Sequence, residues 1–136
     1  MADEERGVRP TVCVDWDGAC VEYGGWQNYK PGKYGRWQRG AVEALRRIAR
    51  CCDLVILTAR PEPEWDKIRR WLCVAGVNGR VTNLKPPALV YIDDRAIGHD
   101  NWWKTEDTLA ELLWWPDDGW AQVDLFGGEG PPEWKE

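Results

Sequence analysis

Three short apolar runs divide the chain, and each ends abruptly in polar residues. They are TVCV at 11–14, LVIL at 54–57 and LVYI at 89–92. Runs of this length, rich in β-branched residues and without polar alternation, are typical of parallel strands that are buried on both faces. Weaker apolar runs at 80–82 and 123–126 predict two further short strands.

Helical periodicity fills the segments between these runs. Apolar residues recur at three- and four-residue spacing over about 39–51 and again from about Glu62 to Gly76. A third helix is expected from about Thr105 to just before Pro116. The alternation predicts an α/β fold, a single Rossmann-like domain whose parallel sheet carries helices on both faces.

The domain is expected to span 11–126, between flexible tails at 1–10 and 127–136, with no cap domain. Residues 21–38 are rich in glycine and aromatic residues and have no apolar period. They therefore predict a long loop, which we call the flap.

The composition and the net charge exclude several classes of protein. The chain has 136 residues, a formal net charge of −5, five cysteines and one histidine. This charge argues against a generally basic nucleic-acid-binding surface, and the cysteines have neither the even number nor the spacing of a disulfide framework or a zinc site. No apolar run approaches the roughly 20 residues of a membrane span. We expect a cytoplasmic protein that does not contact the membrane; its oligomeric state stays open.

Polar side chains follow each of the three strong strands. Asp15 and Asp17 follow the first, Thr58 and Arg60 the second, and residues 93–94, both aspartates, the third. Ligands of open parallel sheets bind outside the carboxyl ends of the strands, so these groups are expected to converge there. Four carboxylates in one place require a cation, and an all-oxygen ligand set favours Mg²⁺.

In order along the chain, the motif VDWDG at 14–18, Thr58, Lys85 and the aspartate pair at 93–94 resemble the haloacid dehalogenase superfamily of phosphatases. The resemblance implies that Asp15 attacks phosphorus and forms an aspartyl-phosphate, while Asp17 protonates the leaving alcohol and later deprotonates water. It also implies that Thr58 and Lys85 hold the phosphoryl group. The implied Mg²⁺ ligands are Asp15, the Asp17 backbone carbonyl, Asp93 and Asp94; which of the last two binds directly stays open.

The position of Lys85 leaves one alternative open. Lys85 precedes Asp93 by eight residues, and at about 3.3 Å per residue an extended path would separate them by roughly 26 Å. Unless the two prolines at 86–87 turn the chain back, Arg60 or Arg95 must supply the positive charge.

The flap interleaves aromatic residues with cations, as a surface that stacks on bases and meets phosphates would. The predicted substrate-binding residues are Trp26, Lys30, Lys33, Arg36 and Arg60. Alternatively, the flap aromatics only anchor the flap on the sheet. The segment IDDR at 92–95, followed by Trp102, is similar to the phosphatase part of polynucleotide kinase-phosphatases.

We therefore predict a Mg²⁺-dependent phosphomonoesterase acting on nucleotides or nucleic-acid 3′ ends. Two alternatives remain at this point. One is a phosphatase of small sugars or metabolites, and the other is a non-catalytic module that binds phosphorylated ligands.

Overall fold

The computed structural model describes residues 9–25 and 29–113, and the chain divides into two units, Met1–Arg95 and Ala96–Glu136. The first unit contains a four-stranded sheet. Its strands are β1 (Thr11–Asp15), β2 (Asp53–Leu57), β3 (Arg80–Thr82) and β4 (Val90–Ile92). All neighbours pair in parallel, in the order β3-β2-β1-β4. This confirms the predicted α/β, Rossmann-like fold.

Two helices connect the first three strands. α1 (Ala41–Cys51) lies between β1 and β2, and α2 (Trp65–Val74) lies between β2 and β3 after a short 3-10 turn at Glu62–Glu64. The Arg9 guanidinium donates to the carbonyls of Ala49 and Cys52 at 2.9 and 3.0 Å, which satisfies acceptors that the end of α1 leaves open.

The core lies between the helices and one face of the sheet. Alternate strand residues point to this face, where they pack against apolar residues of α1 and α2. The cluster includes Val12, Val14, Leu54, Ile56, Val81, Leu45, Ile68 and Leu72. Cys13 and Val55, which alternate with these residues, are buried as well, so neither face of β1 and β2 is open to solvent.

The second unit contains α3 (Trp102–Leu113). The predicted start at about Thr105 was wrong by three residues, because Asn101 caps the helix. Its side-chain oxygen accepts a hydrogen bond from the Lys104 backbone N–H at 3.0 Å, as an N-cap residue does. In the part of the chain that the structure describes, no helix is long and apolar enough to cross a bilayer.

Several predictions from the sequence concern residues outside the described ranges. They are the strand at 123–126, the tail at 127–136, most of the tail at 1–10 and the binding role of Trp26.

Candidate functional site

Three carboxylates meet at the carboxyl end of the sheet. β1 ends at Asp15, and β4, its neighbour, is followed directly by Asp93 and Asp94. One oxygen from each of these three side chains lies within 4.8 Å of the others. The parallel pairing of β1 with β4 thus brings together residues nearly eighty positions apart.

The three carboxylates repel one another. Burial, followed by the charges of Asp93, Asp94 and Asp17, raises the pKa of Asp15 to about 7 from an ordinary 3.8, and Arg95 opposes that shift. A bound cation would remove this repulsion.

The geometry and chemistry of the cluster fit Mg²⁺. Its donors are all carboxylate oxygens, the ligands that this ion prefers. Mg²⁺ holds its ligands at about 2.1 Å, so ligand oxygens on opposite sides of the ion are roughly 4.2 Å apart. The oxygens of Asp15, Asp93 and Asp94, which lie within 4.8 Å of one another, are spaced close to this upper limit.

The turn after β1 packs directly against the carboxylate cluster. Gly18 has a φ of 105°, and a Cβ at this position would lie 2.3 Å from Oδ1 of Asp94. The Gly18 N–H donates to the Val21 carbonyl at 2.8 Å, which closes the turn. Only glycine combines this backbone conformation with this clearance.

The fourth carboxylate expected at this place, Asp17, is not part of the three-oxygen cluster and pairs with Arg60. The guanidinium donates to both carboxylate oxygens of Asp17, at 2.8 and 2.9 Å. It also donates to Oε1 of Glu64 at 2.9 Å and to the backbone carbonyls of Lys30 and Lys33 at 3.3 and 2.9 Å. All five N–H groups of Arg60 are therefore used by protein acceptors, and its side chain is only 4% exposed. In this arrangement Arg60 organises the site and has no donor left for a substrate.

Glu64 ties the flap to the loop after β2. Its carboxylate accepts hydrogen bonds from the Gly32 N–H at 2.7 Å and from the Tyr29 hydroxyl, as well as from Arg60. Although burial alone would raise it, these bonds hold the pKa of Glu64 below its ordinary value. The Arg60 guanidinium also lies 4.6 Å from the ring centroid of Tyr34.

The base of the flap is anchored by Trp16, which stands between the two motif aspartates. Trp16 is fully buried, and Tyr34, Trp37 and Trp71 meet it edge-to-face at centroid distances of 5.4, 5.3 and 6.1 Å. Among the described residues its indole N–H has no hydrogen-bond partner. The interpretation that aromatic residues anchor the flap therefore holds for Tyr34 and Trp37.

Described residues of the flap line an open cavity of about 560 Å³ beside Asp17. Three of the predicted substrate-binding cations, Lys30, Lys33 and Arg36, line it together with Arg60 and Glu22. The aromatic part of the lining consists of Tyr23, Tyr29 and Tyr34. The structure thus brings the predicted flap cations to a common cavity with Asp17.

The two residues predicted to hold the phosphoryl group, Thr58 and Lys85, lie in different surroundings. Thr58 is buried, and its hydroxyl oxygen accepts the Arg60 backbone N–H at 3.0 Å, which leaves the hydroxyl proton to donate elsewhere. The Lys85 ammonium lies 4.5 Å from the ring centroid of Tyr91. The cation that lowers the pKa of Asp15 is Arg95, whose guanidinium also stacks over Tyr23 at 4.8 Å.

Two residues that support the candidate site, Glu64 and Trp71, are not indicated by the sequence. Glu64 follows Arg60 by four residues, a helical spacing that favours an ion pair, but nothing in the sequence indicates that the pair is buried. Trp71 gives no separate signal in the sequence, because it lies beside the buried Ile68 and Leu72 of α2.

Comparison with known proteins gives one structural relative. No protein-family model and no curated protein matches the chain. The solved structure of a conserved protein from Bacteroides thetaiotaomicron is similar, with a TM-score of 0.54 and 22% sequence identity, over 76% of this chain and 92% of that one. At this identity the likeness shows the fold alone.

Proposed function

We propose that this protein is a Mg²⁺-dependent phosphomonoester hydrolase of the haloacid dehalogenase type. The observation that carries the proposal is the cluster of Asp15, Asp93 and Asp94 at the carboxyl end of a parallel sheet. The cation-lined flap cavity beside Asp17 supports it, because a phosphate ester needs positive charge around its oxygens.

Asp15 is the proposed nucleophile. One of its carboxylate oxygens forms a bond to phosphorus, the phosphorus–oxygen bond to the alcohol breaks, and an aspartyl-phosphate results. Water then attacks phosphorus, the bond to Asp15 breaks, and inorganic phosphate leaves. Bound at Asp15, Asp93, Asp94 and the Asp17 backbone carbonyl, Mg²⁺ would neutralise charge on the phosphoryl group.

Asp17 is the proposed acid and base. It gives its proton to the departing alcohol oxygen and recovers one from the attacking water. Arg60 fixes the direction of its carboxylate, and each carboxylate oxygen has a second lone pair for proton exchange. Thr58 donates its hydroxyl proton to a phosphoryl oxygen, and Arg95 supplies the cation that the resemblance assigned to Lys85.

The proposed substrates are nucleotides or nucleic-acid 3′ ends, with small sugar phosphates as the alternative within the same class. Lys30, Lys33 and Arg36 would meet the phosphates, and Tyr23 and Tyr29 would border the base. All five cysteines are free thiols, which supports a reducing, cytoplasmic compartment.

One observation favours a second candidate, a module that binds phosphorylated ligands without turnover. Both oxygens of Asp17 are engaged by Arg60. If that contact kept the carboxylate turned away from the bound ligand, Asp17 would not exchange protons with a leaving group.

Phosphate release separates the two functions. Wild-type protein is assayed with an aryl phosphate, nucleoside monophosphates, a 3′-phosphorylated oligonucleotide and sugar phosphates, with Mg²⁺ or with EDTA. We expect release only with Mg²⁺, abolished by Asp15→Asn and retained by the matched variant Asp66→Asn, whose carboxylate is exposed on α2. Ligand binding without any release would instead establish the binding module.

A further inference from the structure

A second cavity of about 610 Å³ adjoins the flap cavity on the side of α2. Arg36 lines both cavities, so the two share a wall residue. The remaining lining residues are Trp37, Lys67, Arg70, Trp71, Val74 and Ala75. Each cavity alone has the volume of a small-ligand site.

Two indole rings form the aromatic part of this second cavity. The rings of Trp37 and Trp71 lie 5.6 Å apart between centroids and are tilted by 48°. Trp16 packs edge-to-face against both, which fixes their orientation. Such rigid, partly buried indoles are suited to stacking on a flat ring of the ligand.

The described charged side chains that line the second cavity are all cations. Among the described residues that line it, three are cations and none is acidic. The Arg36 side chain is 89% exposed and pairs at 2.9 Å with Glu22, a surface contact that costs little to exchange for a phosphate. Arg70 has no ion-pair partner among the residues that the structure describes, and Val74 beside it is 88% exposed.

We propose that this second cavity binds a nucleobase of single-stranded nucleic acid, one nucleotide away from the chain end held in the flap cavity. Arg36 then contacts the phosphate that joins the two nucleotides. This inference rests on the proposed function only for which end of the nucleic acid lies in the flap cavity. The binding of a nucleobase is argued from the second cavity alone.

Two cavities that share Arg36 favour an oligonucleotide over a mononucleotide, since a mononucleotide fills only one of them. The paired indoles favour nucleic acid over an acidic peptide, because a peptide of aspartates and glutamates offers charge but no ring to stack. The mononucleotide and the acidic peptide are therefore both included in the test as competitors.

The test measures binding without turnover. Fluorescein-labelled hexathymidylate that ends in a 3′-hydroxyl group carries no terminal phosphate to release, and its affinity is followed by fluorescence anisotropy. We expect Arg70→Glu and Val74→Glu each to weaken binding by about tenfold or more, because they place negative charge at the stacking site. The matched charge reversal Arg47→Glu, on the exposed side of α1, is expected to change affinity by less than about twofold.

Competition identifies the ligand class. Unlabelled hexathymidylate is expected to displace the probe at concentrations at least about tenfold below those of thymidine monophosphate or hexaglutamate. Equal competition by the mononucleotide or by hexaglutamate would overturn the proposal, as would equal weakening by Arg47→Glu and Arg70→Glu. Because the probe is not a phosphatase substrate, loss of the hydrolase proposal alone would leave these binding results intact.

Discussion

Gly18 and Asp94 lie so close that a side chain at position 18 would overlap the Asp94 carboxylate. The turn after β1 and the loop after β4 therefore touch at the carboxylate cluster, and the glycine of the DWDG motif creates the room for that contact. The glycine thus has a steric role at the site in addition to its role in the turn.

Gly18→Ala is expected to weaken Mg²⁺ binding by at least about tenfold, because the new Cβ displaces Asp94 from Asp15 and Asp93. Gly40→Ala is the matched control. Gly40 also has a positive φ, 81°, but nothing lies within 4 Å of a Cβ there, so both variants share backbone strain and only one crowds the cluster. Isothermal titration with Mg²⁺ compares them; equal affinities would contradict the steric role of Gly18.

The raised pKa of Asp15 predicts that the stability of the protein in EDTA depends on pH. Its pKa is about 7 in the folded protein against 3.8 ordinarily, so the folded state holds this proton more tightly than the unfolded state. The favourable contribution of this proton to the free energy of unfolding is complete below pH 3.8 and is lost as the pH rises to about 7.

The difference in Tm between Asp15→Asn and wild type should therefore grow between pH 4 and pH 7.5, with the variant more stable at the upper end. Mg²⁺ at pH 7.5 should raise the Tm of the wild type and leave the variant almost unchanged. Thermal denaturation in EDTA and in Mg²⁺ measures both effects. A Tm difference that is independent of pH would show that Asp15 is not in a repulsive cluster.

Arg60→Ala is expected to destabilise the protein by about 3–5 kcal/mol, because it leaves Asp17 and Glu64 without their buried counter-charge. Arg69→Ala, which removes an exposed ion pair with Asp66, should cost less than about 1 kcal/mol. Urea denaturation gives both free energies of unfolding. Similar values for the two variants would mean that Arg60 does not organise this region.

Trp16→Phe should cost clearly less than the about 3–5 kcal/mol expected for Trp16→Ala. Phenylalanine keeps much of the edge-to-face packing, and the indole N–H has no hydrogen bond to lose among the described residues. Denaturation of the two variants, together with limited proteolysis of the flap, checks this. Equal losses would indicate that the N–H, rather than the ring, stabilises the flap.

The four described strands and the convergence of Asp15, Asp93 and Asp94 were predictable because they depend on local patterns. Buried parallel strands are continuous apolar runs, and the polar residues after them share one sheet edge whatever the loops do. The start of α3 was not predictable in this way. The capping residue Asn101 is followed by two tryptophans, which do not mark the first turn of a helix.

The ion-pair network around Arg60 could not be predicted in the same way. Its acceptors come from the turn after β1, the flap and the 3-10 turn before α2, segments that only the folded chain brings together. Whether an arginine meets a substrate or other protein groups depends on that assembly. The placement of Lys85 over Tyr91 likewise depends on the path of the loop through the two prolines at 86–87.

The most direct test of the central claim is to trap the covalent intermediate. Wild-type protein is mixed with an aryl phosphate and Mg²⁺, quenched in acid within one turnover, digested and mapped by mass spectrometry. We predict a phosphoryl group on the peptide that contains Asp15, absent in Asp15→Asn and in EDTA. Phosphate release that persists in Asp15→Asn, or a phosphoryl group on any other residue, would contradict the account.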